Sequence, residues 1–166
     1  MVKPHKLLER LNAKQFRWAT KLFPGLRNSG VKIDHISDDW RIWEMRLPLR
    51  LRTLNYVGTH WGGTLYSALD SQVMLAWLHL LPDHIVWDKA AGIRFKKPGR
   101  GTLRCRIEIP AADIDAVRAA CRAAPDGKHE RTYTLRWTDK DGDVVAEVDK
   151  LVYFCSKEAA SPRDRA

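Results

Sequence analysis

Apolar positions recur along this chain with two different periods, and the switches between them set out an order of elements. Over residues 4–23, Leu8, Leu11, Gln15, Trp18 and Leu22 fall on one stripe at helical spacing, while Lys6, Arg10, Lys14, Arg17 and Lys21 lie mostly on other faces. This predicts an amphipathic helix, ended by Pro24-Gly25. Val31 to Ile36 and Trp40 to Leu47 then read as two strands joined by the polar turn Ser37-Asp38-Asp39, with Pro48 marking an edge or a bulge.

From Thr59 to Leu81 the period returns to that of a helix, about 35 Å long at 1.5 Å per residue. Trp61, Leu65, Ala68, Leu69, Val73, Met74, Ala76, Trp77, Leu80 and Leu81 cover most of its circumference, so other structure must wrap it. Ala90 to Lys97 and Thr102 to Ile109 form strands around the turn Pro98-Gly99-Arg100-Gly101, and a short helix follows over 111–123. In the last third, Tyr133, Leu135 and Trp137 alternate with Thr134 and Arg136, Asp141-Gly142 turns the chain back, and a strand runs from Val144 to Phe154. Its alternation weakens at Asp149-Lys150, where a bulge is expected. The reading is α+β: a single domain over 1–155, with a curved antiparallel sheet around a long central helix and a disordered tail over 156–166.

Composition narrows the class. With 166 residues, 45% of them hydrophobic and seven of them tryptophan, one domain can bury a core without staples. Cys105, Cys121 and Cys155 are odd in number and lack metal-ligand spacing, which favours buried thiols in a reducing cytoplasm. No signal-like segment opens the chain. The longest apolar run of the central helix, Val73 to Leu78, is far short of the ~20 residues a membrane span needs, so a soluble, cytoplasmic protein is expected. The net charge of +9 is concentrated in residues 1–60, where 12 Lys and Arg face 5 Asp and Glu. An anionic partner fits that field, and so does a solvated surface. A nucleic-acid module is set aside because aromatic and basic residues are not regularly interleaved.

The segment NYVGTHWGGTLYSALD, Asn55 to Asp70, carries the candidate chemistry. Gly62 and Gly63 begin the central helix, where unpaired N–H donors and the positive dipole end suit the oxyanion of an acyl-transfer intermediate. Asp70 follows Gly63 by seven residues, returning to the same helix face roughly 10 Å further on. That separation prevents both groups of one helix from meeting at one carbon, so a second copy is required.

Asn55-x-x-Gly58, the Gly62-Gly63 pair and Asp70, with VWDKAAGIRFKKPGRG at Val86 to Gly101, resemble the hot-dog fold acyl-CoA thioesterase superfamily over roughly residues 30–155. The likeness is to its phenylacetyl-CoA-type members and to a tetrameric acyl-CoA thioesterase branch formerly labelled a domain of unknown function. One departure stands out: the family's histidine directly precedes the glycine pair, whereas Trp61 stands there in this chain and His60 comes one residue earlier.

The resemblance implies a homodimer, or a dimer of dimers forming a homotetramer, whose site lies at the dimer interface. Amides of Gly62 or Gly63 would face Asp70 of the other subunit, with Asp70 as general base for water or as nucleophile through a mixed anhydride. Asn55 would orient the thioester or water, unless it only turns the backbone. His60 is a catalytic candidate or a hydrogen-bonded structural group, and Thr59, Ser67 and Ser71 are further polar candidates. Lys96, Lys97 and Arg100 are candidates for coenzyme A phosphates, with Arg50, Arg52 and Arg94 behind them. Trp61, Leu65, Trp77 and Trp87 would line an acyl tunnel or simply pack the core. The implied activity is hydrolysis of an acyl-CoA to free acid and thiol without metal or redox cofactor, coenzyme A entering as part of the substrate. The alternative is a non-catalytic acyl-CoA-binding hot-dog protein.

Overall fold

The computed structural model describes residues 11–161. Leu8, Lys6 and Arg10 of the first predicted helix therefore lie outside the described residues. Helix α1 (Ala13–Ala19) is started by a reciprocal cap: Gln15 N–H donates to Asn12 Oδ1 at 2.9 Å, and Asn12 N–H donates to Gln15 Oε1 at 3.1 Å. The face it buries differs from the predicted stripe. Ala13, Phe16 and Thr20 point inward, while Trp18 is 60% and Leu22 81% exposed. Phe16 decides the rotation, because its ring packs edge-on against Trp40 at 5.3 Å and Trp43 at 6.0 Å. Pro24 does not end the helical region either. It occupies the first turn of a second helix, α2 (Pro24–Ser29), where its missing N–H costs nothing, and Gly30 at φ +82° closes that helix.

Among the described residues, six strands form one antiparallel sheet in the order β1-β2-β4-β5-β6-β3. They are β1 (Lys32–Ile36), β2 (Ile42–Leu47), β3 (His84–Phe95), β4 (Leu103–Glu108), β5 (Lys128–Thr138) and β6 (Val144–Ser156). Alternation places Trp43, Met45 and Leu47 of β2, Leu103, Cys105 and Ile107 of β4, and Leu135 and Trp137 of β5 on the covered face. β3 begins six residues before the predicted Ala90, and Asp149-Lys150 pair regularly: the register shifts instead on β3 between Asp88 and Ala90, opposite Val152 and Leu151, and on β6 at Val145, opposite Trp137 and Thr138.

The predicted rod from Thr59 to Leu81 is a long helical segment in two pieces, α3 (Gly62–Ser67) and α4 (Gln72–Leu80). Leu69 N–H donates to Tyr66 O and Asp70 N–H to Ser67 O, tightening the chain to a turn, and Ser71 N–H goes to the Gln72 side chain at 3.1 Å. Helical bonding resumes with Leu75 N–H to Ser71 O at 2.8 Å. The apolar wrap is as expected: Leu65, Ala68, Leu69, Val73, Ala76 and Trp77 are buried against the sheet. Trp137 ties the two layers together, donating from Nε1 to Leu65 O at 2.8 Å. Trp43, Trp77 and Trp137 are wholly buried, and truncating one such ring to alanine costs roughly 3–5 kcal/mol.

Helix α5 (Ala111–Ala123) lies against β5 and β6, burying Val117 and Cys121. At the C-terminal end Ser156 N–H donates to Gly127 O at 3.1 Å and Lys157 Nζ to Pro82 O at 2.6 Å, so the chain past Phe154 is held as far as this turn. Residues 162–166 lie outside the described residues. Among the described residues, no helix is long and apolar enough to cross a membrane.

Candidate functional site

Asp70 stands at the break between α3 and α4, and 56% of its side chain is exposed. The buried member of its surroundings is a lysine. Lys150 occupies the inward position of β6 between Val148 and Val152, 1% exposed, and its Nζ lies 3.3 Å from Asp70 Oδ1 and 3.1 Å from Asp88 Oδ2. A buried ammonium is costly unless carboxylates surround it, and Asp70 and Asp88 supply two. The Tyr66 hydroxyl donates to Asp70 Oδ1 at 2.9 Å, and the Lys150 ammonium sits 5.5 Å from the centre of the Tyr66 ring. Burial pushes the Asp88 carboxyl above the usual carboxylate range, against the pull of the Lys150 charge, and its buried Oδ1 has no hydrogen-bond partner among the described residues. These groups line a cavity of about 340 Å³ walled by Met74, Trp87, Ala90 and Ala91.

Of the glycine pair, Gly62 lines a different cavity, of about 530 Å³, together with Asn55, His60, Leu65, Phe95 and Arg100 among others. Both glycines are covered by rings: a Cβ on Gly62 would come within 2.7 Å of Phe95 Cζ, and one on Gly63 within 2.9 Å of the Trp61 ring. Asn55 is turned into its own loop. Its Oδ1 accepts from Val57 N–H at 3.1 Å and Thr59 N–H at 2.9 Å, and its Nδ2 donates to Thr59 Oγ1 at 2.8 Å and His60 O at 3.3 Å.

His60 is 4% exposed and spans two loops. Its Nε2 donates to Gly101 O at 2.9 Å, and its backbone N–H donates to Gly99 O at 3.0 Å. A carbonyl only accepts, so the proton is assigned to Nε2, and the buried Nδ1 has no partner among the described residues. Burial holds the imidazole below its ordinary pKa, with the bond to Gly101 acting the other way.

The three cations predicted to meet phosphate separate by their partners. Lys96 pairs with Glu147 at 3.1 Å, and Lys97 stands 2.6 Å from both Asp139 and Asp143, which hold its ammonium above the usual lysine value. Arg100 lines the cavity with no ion pair among the described residues. Arg94 pairs with Asp149 and Glu147 on the outer face of the sheet. Ser67 Oγ donates to Thr64 O at 3.4 Å, and Ser71 lines the Asp70 cavity. Of the predicted tunnel residues, Leu65 and Trp77 are core, while Trp61 and Trp87 are 59% and 48% exposed.

The structure thus gathers Asn55, His60, Gly62, Lys96, Lys97 and Arg100 around one cavity and leaves Asp70 at the other. Tyr66, Asp88 and Lys150 escaped the sequence reading. The available signal was parity: Val148, Lys150 and Val152 share one face of β6, so a lysine stood where an apolar residue was due.

Comparison with known structures recovers this architecture. A protein of unknown function from Pseudomonas aeruginosa, named a probable thioesterase, superposes with a TM-score of 0.76 at 22% identity, covering 88% of this chain and 97% of that one. A thioesterase from Haemophilus influenzae superposes at 0.63 with 12% identity, over 88% and 92% of the two chains. A protein of unknown function from Chlorobaculum tepidum gives 0.66 at 13%, over 89% and 98%. At these identities the likeness is one of fold. No curated protein matches the chain. A family model described as "Domain of unknown function (DUF4442)" matches residues 13–154, and the chain belongs to that family.

Proposed function

We propose that this protein is a hot-dog thioesterase that hydrolyses an acyl-CoA to free acid and thiol at a site shared by two protomers. The observation that carries the reading is the division of its candidate groups: Gly62 and Asp70 open into separate cavities, one bounded by the middle of β3 and the other by its last residue and the turn that follows. Trp87 to Ala91 wall the Asp70 cavity, and Phe95 to Arg100 wall the other. At about 3.4 Å per residue, Ala91 and Phe95, the nearest residues of the two walls, are roughly 14 Å apart along the strand, too far for one chain to apply both groups to one carbonyl.

Among the described residues β3 is an edge of the sheet, paired with β6 alone, and Ala90, Ala91 and Gly92 on it are small and exposed. Such an edge offers a row of backbone groups to a second strand. Antiparallel pairing of two β3 strands about a two-fold axis at Gly92 sets Ala91 beside Ile93 of the second copy. It carries the Asp70 cavity of one protomer to the Phe95–Arg100 end of its partner.

In that assembly the Gly62 and Gly63 amides meet the thioester oxygen as it becomes negative. Asp70 of the partner acts from the opposite side, either drawing a proton from the water that adds to the carbonyl or adding itself; collapse of the tetrahedral intermediate breaks the C–S bond and expels the coenzyme A thiolate, which takes up a proton, leaving the free acid directly or a mixed anhydride that water then opens. Arg100, a cation at the mouth of the glycine cavity, takes a phosphate of coenzyme A. The test is a panel of acyl-CoAs assayed for thiol release with wild type and Asp70→Asn. Turnover by wild type that falls by orders of magnitude in the variant supports the reading. Tight acyl-CoA binding without turnover at any chain length replaces it with the non-catalytic one.

A further inference from the structure

Asp70 lies in the four-residue break between α3 and α4, where its own backbone bonding is only a turn. A carboxylate in such a place is free to swing unless its side chain is fastened. Two donors fasten it, and both reach the same oxygen: the Tyr66 hydroxyl at 2.9 Å and the Lys150 Nζ ammonium at 3.3 Å, each to Oδ1. Oδ2 has no hydrogen bond among the described residues. The donors come from two packed elements, the helix before the break and the inward face of β6, so Oδ1 is referenced to helix and sheet together. Lys150 also bonds to Asp88 Oδ2 at 3.1 Å, which lets a positive charge persist at 1% exposure without Asp70 alone balancing it.

We propose that Tyr66 and Lys150 are positioning residues that clamp Asp70 by Oδ1 and thereby present Oδ2 to the water or carbonyl. The inference rests on the hydrolytic reading above and adds to it the atom that acts. Asp88 is the counter-charge that keeps Lys150 in place. A clamp of this kind acts on the chemical step more than on substrate affinity, because it fixes geometry within fractions of an ångström.

Two variants and one spectrum test it. Tyr66→Phe removes one donor, and Lys150→Met combined with Asp88→Asn removes the other without leaving a buried carboxylate unpaired. Each is expected to lower kcat by roughly 10- to 100-fold, the worth of a hydrogen bond to a charged group, with KM within about twofold and an unchanged melting temperature. Unchanged kcat in both variants, or losses that only follow loss of folded protein, overturns the proposal.

Independently of activity, the ¹⁵N resonance of the sealed Lys150 ammonium is expected to shift in Asp70→Asn. An unmoved resonance overturns the clamp. A wild type that releases no thiol defeats the hydrolytic reading alone, and the ammonium spectrum then decides the clamp by itself.

Discussion

The ring of Phe95 rests on Gly62 so closely that a β-carbon there would stand 2.7 Å from Phe95 Cζ. The absent side chain thus lets the Phe95 ring lie directly on the start of α3. Phe95 is 59% exposed and its ring tip can move aside, so Gly62→Ala is expected to destabilise the fold by no more than about 1 kcal/mol, below the usual range for overpacking a core. Adding Phe95→Ala should recover much of that loss. Denaturant unfolding of the two single variants and the double one measures the coupling, and additive losses would contradict it.

The bond from Trp137 Nε1 to Leu65 O crosses from sheet to helix inside the core. Trp137→Phe keeps an aromatic ring but leaves that carbonyl without its donor, so a loss of about 1–3 kcal/mol is expected in urea unfolding.

His60 supplies a pH dependence of stability. Burial lowers its pKa in the fold below the unfolded value of 6.5, so between the two values the unfolded chain binds more protons. The stabilisation from the neutral ring is complete above about 6.5 and is lost as pH falls toward the lowered folded value. His60→Gln should flatten this slope, measured as unfolding free energy between pH 8 and pH 5.

Arg100 and Lys97 line the same cavity but differ in partners, since Lys97 is already shared by Asp139 and Asp143. Arg100→Ala is expected to raise KM for an acyl-CoA by roughly 3- to 10-fold, with a smaller effect at high salt. Lys97→Ala should raise it less. Steady-state kinetics at two ionic strengths separates them, and a larger effect at Lys97 would contradict the assignment.

Much of the sheet was legible because period-two alternation survives in the residues themselves, as in Trp43-Met45-Leu47 and Leu103-Cys105-Ile107. The break in the central helix was not. Ala68, Leu69 and Val73 continue the apolar wrap across it, and only the Gln72 side chain, which captures the Ser71 amide, marks the interruption. The stripe on the first helix misled because a partly exposed tryptophan scores like a buried one, whereas Phe16 had the aromatic partners.

The site was legible by halves. Asp70 and the glycine pair could be picked out by type and spacing, since the chemistry of an activated carbonyl restricts what can serve. Lys150 was hidden because a lysine in an alternating strand reads as an outward residue or an irregularity. Its role depends on two acids, Asp70 and Asp88, that sequence places far away along the chain.

The central claim is that each site takes its glycine end from one protomer and Asp70 from the other, and mixed dimers test it most directly. Asp70→Asn and Gly62→Val chains are each expected to be inactive alone. Co-expressed in equal amounts, half of the dimers pair unlike chains, and each of those contains one intact site out of two. Activity should return to about a quarter of the wild-type level. Mixed dimers that form and remain inactive would contradict the shared site.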